Sequence, residues 1–491
     1  MGGDSMQEHG GNEACAVGWR FDHSYARLPP ALFARAQPES FPAPGLVIRN
    51  DALARDMGLD LSRCDDRQLA RLFSGQHVPA GADCIAQAYA GHQYGHFTML
   101  GDGRALLLGE HVVPGGRRLD IQLKGSGVTP FSRRGDGRAA LGPMLREYIV
   151  SEAMHALGVP TTRSLAVVTT GEWIERMGSK PGAVLVRVAD SHIRVGTFQY
   201  AAGLEDLPVL RALADHAIAR HDPAIGEGPL QYAEFLRAVI ARQADLVARW
   251  QCIGFVHGVL NTDNTLVSGE TIDYGPCAFM DGYHADTVFS SIDHHGRYRY
   301  GHQPAIIQWN LARFAEAMVP LLAEDETAAV AVANDALAGF AVRYRAQFLA
   351  GMRAKLGLAR EDDSDLPLVQ QLLAAMQDAR ADLTNTFRAL SRGEEPAELA
   401  SWIPRWHARL DAEGRPRSEV FRAMRGANPA VIPRNHRVEA VLAAAEERGD
   451  LQPLRELLAV LARPFDLAAE HAHYADPPPP EFAGYCTYCG T

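Results

Sequence analysis

The residues best suited to chemistry lie in the run 257–281, HGVLNTDNTLVSGETIDYGPCAFMD. Asp263 and Asn264 stand together, and Asp273 follows, just before Tyr274 and Gly275. Two short β-prone runs, 265–267 and 271–272, are joined by Ser268, Gly269 and Glu270. This pattern predicts a hairpin. A hairpin brings its ends together, so Asn264 and Asp273 could share one cation. A carboxylate and an amide oxygen are hard ligands, suited to Mg²⁺ or Mn²⁺ held against phosphates.

The spacing matches part of the protein-kinase signature, H-R-D-L-x-x-x-N followed by D-F-G. His257 stands seven residues before Asn264, and Asp273-Tyr274-Gly275 takes the place of D-F-G. The position of the kinase catalytic Asp is Val259, which can neither orient a hydroxyl nor take its proton. Either the chain is a dead kinase, or another residue activates the nucleophile. Asp263 is the obvious substitute.

Upstream, Gly101-Asp102-Gly103-Arg104 precedes a strand pair that ends in Lys124, and a second glycine turn, Gly135-Asp136-Gly137-Arg138, follows. Small glycines let backbone N–H groups approach phosphates closely; a plain turn is the other reading. Lys124 on a strand and Glu147 on the next helix come in the order in which kinases hold a phosphate-binding ammonium. The alternative is a surface charge and a solvated helix face. Arg187 sits inside an apolar run and Arg194 follows it. Either they pair with nearby acids, or with Lys124 they recognise a polyphosphate.

These residues need a frame. Strands are predicted over 105–109, 119–124, 164–168 and 183–188, with short helices within 52–74. A helix over 143–157 repeats Leu145, Ile149, Ala153 and Leu157 every fourth position, and Glu147 aligns with Val150 and Met154, able to face the sheet. Residues 204–228 read as a polar connection with a short helix, and 232–252 as an amphipathic helix. From 303 onward helices dominate: 305–322, 326–356, 366–378, 381–391, 398–411, 435–447 and 452–462. The fold class is therefore α+β, with two lobes and the site in the cleft between them. The expected divisions are a flexible segment 1–40, a β-rich lobe 41–205 with the nucleotide-binding loops, a helical lobe 206–470 with the catalytic and metal motifs, and a Pro-rich tail 471–491.

The chain has 491 residues, 47% hydrophobic and 22% charged, an ordinary globular composition. A net charge of −11 argues against a broad nucleic-acid footprint. No apolar run approaches transmembrane length, and no secretory signal is visible. Seven mostly scattered cysteines suit a reducing compartment. The expectation is a cytoplasmic protein with no nucleic-acid or membrane partner.

Longer motifs go further. They include Tyr89-Ala-Gly-His-Gln-Tyr-Gly95, Leu100-Gly-Asp-Gly-Arg104, Gln122-Leu-Lys-Gly-Ser-Gly127, the 132–138 turn and Arg146-Glu-Tyr-Ile-Val-Ser-Glu152. Arg187, Arg194, His257-Gly-Val-Leu-Asn-Thr-Asp-Asn264, Thr271-Ile-Asp-Tyr-Gly-Pro276, Trp309-Asn-Leu311, Asn428-Pro429 and Arg434-Asn435 complete the set. In these the chain resembles the selenoprotein O (SelO/YdiU) family of kinase-like protein nucleotidyltransferases, over about residues 80–440 and the tail. The resemblance implies a protein-kinase-like fold, ATP bound in a flipped orientation, and transfer of AMP, or UMP from UTP, to Ser, Thr or Tyr hydroxyls of proteins. It implies that Gly101, Gly103, Arg104, Lys124, Asp136, Gly137, Arg187 and Arg194 bind the nucleotide, with Glu147 holding Lys124. It implies Asp263 as proton acceptor, and Asn264 and Asp273 as ligands of Mg²⁺ or Mn²⁺, Asp273 also lying near ATP. Chemistry agrees: the leaving group would be pyrophosphate, whose charge calls for extra cations such as Arg187 and Arg194.

The chain ends Cys486-Thr-Tyr-Cys489-Gly-Thr, and eukaryotic members of that family carry selenocysteine near this point. A single CxxC lacks the second ligand pair of a structural zinc site. The pair reads either as a redox switch, with Cys277 one partner, or as an inert tail. Two other functions compete with adenylylation: a true kinase, which the lost Asp at Val259 opposes, and a non-catalytic nucleotide-binding scaffold, which the retained metal frame opposes.

Overall fold

The computed structural model describes residues 16–488. Thirteen strands appear among them: β1 (Phe21–Asp22), β2 (Phe33–Arg35), β3 (Gly45–Arg49), β4 (Ile85–Gln87), β5 (Ala90–Gln93), β6 (His96–Met99), β7 (Ala105–Val112), β8 (Arg118–Lys124), β9 (Ala139–Ala140), β10 (Arg163–Arg176), β11 (Gly178–Ala189), β12 (Phe255–Val256) and β13 (Ala278–Phe279). Nine of them form one antiparallel sheet in the order β2-β4-β7-β8-β11-β10-β3, with β1 on β7 and β9 on β11. The short pairs β5–β6 and β12–β13 stand apart from it.

Period-2 alternation decides which residues this sheet offers to the site. On β8, Leu119, Ile121 and Leu123 join Val184, Val186 and Val188 of β11 in one apolar core. Successive side chains point to opposite faces, so Asp120, Gln122 and Lys124 share the other face with Leu185 and Arg187. The register sets Arg187 opposite Gln122 and Leu185 opposite Lys124. A cationic pair is thus fixed by the pleat.

Helices α1 (Asp51–Asp56), α2 (Asp66–Phe73) and α3 (Leu141–Ala156) serve the sheet. The others are α4 (Val195–Gly203), α5 (Leu207–His221), α6 (Gln231–Ile253), α7 (Gln303–Leu322), α8 (Glu326–Leu356), α9 (Asp365–Ala379), α10 (Leu383–Leu390), α11 (Ile403–Asp411), α12 (Arg417–Ala427), α13 (Asn435–Arg448) and α14 (Gln452–Leu461). Helices α4 to α8 enclose a second core around Phe198, Phe235, Trp250 and Phe314. A third, around Trp402 and Trp406, lies between α8 and α12. The chain then returns: Val438, Val441, Leu442, Leu454 and Leu457 of α13 and α14 pack on Leu145, Tyr148 and Ile149 of α3. The helix that carries Glu147 is therefore clamped from both sides, by the sheet and by the C-terminal helices.

Most predicted elements form within two or three residues of their expected ends. The differences have local causes. Residues 16–40 are not a flexible segment: β1 pairs with β7, β2 pairs with β4, and Tyr25 and Leu32 are buried. Residues 1–15 lie outside the described residues. The expected hairpin at 265–272 is absent. Leu266 makes a single bridge to Arg194 and Thr271 another to Thr161, because runs this short satisfy their backbone groups on neighbouring segments rather than on each other. The 204–228 connection contains the full helix α5, with Pro208 in its first turn and an Asp206 cap. The predicted helix 398–411 divides into a 3₁₀ turn at Ala397–Leu399 and α11, where Pro404 fits the first turn. Helices α4 and α12 were not foreseen.

Candidate active site

Lys124 leaves the end of β8 and donates to Glu147 of α3 at 2.7 Å and to Asp273 at 2.6 Å. Arg187 reaches the same two carboxylates, Nε to Glu147 at 2.7 Å and Nη2 to Asp273 at 2.5 Å, and Nη1 donates to Gln122 at 3.3 Å. Arg194, entering α4, donates through Nη1 to Asp273 Oδ2 at 3.0 Å and to the backbone oxygen of Asp263 at 2.5 Å. Its guanidinium lies 4.5 Å over the Tyr89 ring. Three cations are thus knotted to two carboxylates. Burial works to raise the Glu147 carboxyl, but Arg187 and Lys124 outweigh it and hold the group below its ordinary value. For Asp273, Arg187, Lys124 and Arg194 overcome burial by a wide margin. Both are acceptors only at neutral pH. Of the two readings of Arg187 and Arg194, pairing with nearby acids is the arrangement of the free chain, and both still line the cavity.

That cavity has a volume of about 240 Å³, and its walls include Arg104, Val259, Asp263, Asn264, Asp273 and Gly275. Asn264 and Asp273 therefore meet in one cavity although no hairpin joins them. Asn264 donates its amide N–H to Val259 O at 2.9 Å, which leaves the amide oxygen as the end free to accept. The backbone of Asp273 is left-handed, at φ 62°, a conformation uncommon for any residue but glycine, asparagine or aspartate. It turns the carboxylate back toward the cations.

Asp263 is of a different kind. It is 7% exposed, and burial pushes its carboxyl up to about 6 against the pull of Arg194. Its Oδ1 has no hydrogen-bond partner. Gln93 and the backbone hydrogen-bond the rest of the group, and a carboxyl that titrates near neutral pH beside cations has the chemistry to accept a proton. Strand β5 supplies the dry wall: a Cβ on Gly91 would stand 2.2 Å from Asp263 Oδ1. The hairpin β5–β6 is tied to the loop just beyond this contact, by His92 N to Thr262 Oγ1 at 2.8 Å and Tyr94 N to Asn261 Oδ1 at 3.2 Å. His257, buried, contacts the backbone oxygen of Ile272 through Nε2 at 2.9 Å. It is a brace for the loop, not a reactant.

A wider cavity of about 740 Å³ adjoins the first, sharing Tyr89, Gln93, Gly103, Arg104 and Asp263, and extends to Gly101, Asp136, Gly137 and Arg138. The glycines there do more than expose N–H groups. A Cβ on Gly101 would meet the Phe131 ring at 2.4 Å and one on Gly137 the Gly127 backbone at 2.1 Å, so only glycine lets the two loops close on each other. Asp136 is not part of the inner cluster. It binds Arg176 through both oxygens at 2.9 Å and caps Arg138 N at 3.0 Å.

Sequence reasoning quoted Asp102, Tyr89, Gln93 and Gly91 within longer motifs but gave them no role in the site. Asp102 is buried, accepts from Gln122 Nε2 at 3.2 Å and lies 4.0 Å from Arg194; its local signal was an acid between two glycines. In the tail, Thr487 donates from its hydroxyl to Pro276 O at 2.8 Å and its N to Phe289 O at 2.8 Å. The tail thus passes beside Cys277, whose buried thiol is pushed up to about 12. Cys486 is exposed, and Cys489 lies outside the described residues. Among those residues, no group of three His, Cys, Asp or Glu side chains could hold a metal by itself. No helix among them is long and apolar enough to cross a membrane.

The sequence profile described as "Protein adenylyltransferase SelO" matches residues 16–462. A protein of Geobacillus kaustophilus named "Protein nucleotidyltransferase YdiU" is 57% identical, over 97% of this chain and all of its own. Proteins of the same name from Methylorubrum extorquens, 55% identical over 96% of this chain and 99% of theirs, and from Nitrosococcus oceani, 53% identical over 97% and 98%, are similar over the same span.

Proposed function

The chain belongs to the SelO family of protein adenylyltransferases, and from that premise we propose that this transferase moves AMP from ATP to Ser, Thr or Tyr hydroxyls of proteins and releases pyrophosphate. UMP from UTP is the variant donor. The observation that carries the reading is Asp263: unpaired at Oδ1, raised to about 6, and walled into the cavity that holds Lys124, Arg187 and Arg194.

The steps follow from that arrangement. Lys124, Arg187, Arg194 and Arg104 take the polyphosphate, whose oxygens replace carboxylate oxygens as their partners. The acceptor hydroxyl enters beside Asp263 and gives its proton to the carboxylate, on the side away from Gly91. Its oxygen bonds to the α-phosphorus, the bond from that phosphorus to the bridging oxygen breaks, and pyrophosphate leaves into the cationic wall. Asn264 and Asp273 fit a divalent cation: one free amide oxygen and one carboxylate, both hard, too few to bind without phosphate oxygens to complete the shell. Mg²⁺ or Mn²⁺ held there would neutralise charge on the transferring group.

The same reading carries a two-lobed, protein-kinase-like arrangement with the triphosphate reversed, and nucleotide contacts from Gly101, Gly103, Asp136 and Gly137. It also carries a cytoplasmic location and a redox role for Cys486 and Cys489, which the passage of the tail beside Cys277 supports. Val259 in the cavity wall speaks against phosphate transfer. ATP labelled at the α- or γ-phosphate separates the possibilities. α-Label in protein is expected; γ-label would mean a kinase, and neither a scaffold.

A further inference from the structure

Beside the catalytic loop, outside both cavities, two arginines share one tryptophan. The guanidiniums of Arg297 and Arg313 each lie 4.9 Å from the Trp309 ring. Arg313 is paired with Glu316. Among the described residues no carboxylate comes within ion-pair distance of Arg297, although its neighbour Arg299 has Asp286. Its Nε is buried without a partner. Lying over Trp309, and 5.7 Å from the Tyr298 ring, uses the flat face of the guanidinium and leaves its terminal N–H groups for an acceptor. The partly exposed Arg297 reaches the Tyr298 hydroxyl but lines neither nucleotide cavity, and among the described residues no carboxylate neutralises it, so its charge is open to a partner from outside.

The place is joined to the reaction centre. Tyr298 donates its hydroxyl to Asn261 Oδ1, two residues before Asp263. Arg297 lies 3.8 Å from where a Cβ on Gly95 would stand, at the tip of the hairpin whose Gly91 walls Asp263. His92 of that hairpin packs edge-on against Trp309, at 5.2 Å. Phe97, against His92, is 50% exposed.

We propose that this shelf, Arg297 and Arg313 on Trp309 with Phe97 beside them, receives an acidic segment of the protein substrate next to the hydroxyl that is modified. The inference rests on the reading of the chain as a protein-modifying transferase and names what it selects. Charge supports it: at cellular salt only charges within about 8 Å act strongly, so the unneutralised Arg297, and not the net −11 of the chain, sets what the shelf attracts. A local basic shelf is what lets such a segment approach.

The test uses the full chain and fluorescein-labelled Ser peptides that differ only in flanks: Asp/Glu, Gln or Lys. Anisotropy without nucleotide reads binding apart from transfer. The acidic peptide should bind at least tenfold more tightly than the Gln peptide, and more weakly as salt rises from 50 to 200 mM. Arg297→Gln and Trp309→Leu should remove the preference, raise KM for the acidic peptide about tenfold and leave KM for ATP unchanged; Arg297→Glu should favour the Lys peptide. Equal binding of acidic and neutral peptides by the unaltered protein overturns the proposal whatever the variants do. So does a rise in KM for ATP alone, or a single-stranded oligonucleotide bound as tightly as the acidic peptide. Selective binding of the acidic peptide with no α-label transferred to any peptide would leave the shelf standing and refute the transferase reading.

Discussion

Asp263→Asn should make the protein more stable and far less active, and the two effects should follow one titration. The substitution keeps the size of the side chain and removes its charge. Burial raises the Asp263 carboxyl to about 6 from the ordinary 3.8. A shift of about two units costs the folded state about 3 kcal/mol at pH 7, at 1.36 kcal/mol per unit. The sign follows from the direction. The folded state holds its proton more tightly than the unfolded chain, so the ionisation cost is absent below pH 3.8 and complete above pH 6. Relative to the parent, the variant should gain about 3 kcal/mol at pH 7 to 8, roughly half of that at pH 5, and almost nothing at pH 3. In a chain of this length that is a rise in Tm of only about 3 °C, so denaturant unfolding at each pH is the better assay. Activity should run the opposite way. Proton acceptance needs the ionised form, so α-label transfer by the parent should fall about tenfold per unit below pH 6. The variant should lose about a hundredfold or more at pH 7 and lose that acid limb. A variant no more stable than the parent at pH 8, or one that keeps the limb near pH 6, would refute the assignment of Asp263 as a dry, poised base.

The other predictions concern its surroundings. Glu147→Gln leaves buried Lys124 and Arg187 with Asp273 as their shared carboxylate; it should cost about 3–5 kcal/mol in unfolding free energy and abolish detectable labelling. Lys124→Ala and Asp273→Ala should each abolish labelling, measured beside nucleotide binding by calorimetry, which the lysine variant should also weaken. Gly91→Ala places a methyl against Asp263 Oδ1; transfer should fall at least tenfold with KM for ATP little changed, and the midpoint of the acid limb should move. Chelation with EDTA should stop transfer and added Mg²⁺ or Mn²⁺ restore it, because Asn264 and Asp273 alone offer too few oxygens; nucleotide affinity with and without metal provides a second readout.

Much of the site is local arithmetic, and the sequence carries it. Alternation on β8 puts Lys124 opposite to Leu123, helical spacing to Val150 and Met154 sets Glu147 on the sheet side of α3, and the order of Asp263, Asn264 and Asp273 names two acids and an amide. The expected pair of Lys124 and Glu147 forms, and Asp273 draws in Lys124, Arg187 and Arg194 as further partners. The sequence did not reveal that residues 265–272 avoid a hairpin, because backbone groups pair with whichever segment lies nearest. Nor could it show that α13 and α14 return to brace α3, since apolar stripes specify a buried face and not its neighbour. The deciding property of Asp263 is likewise tertiary. Its dry environment comes from β5, held to the loop by a bond between His92 and Thr262, 170 residues apart in the chain. Residue types can announce a carboxylate, but the energy of its charge is set by the water that distant parts of the chain exclude, and only folding brings those parts together.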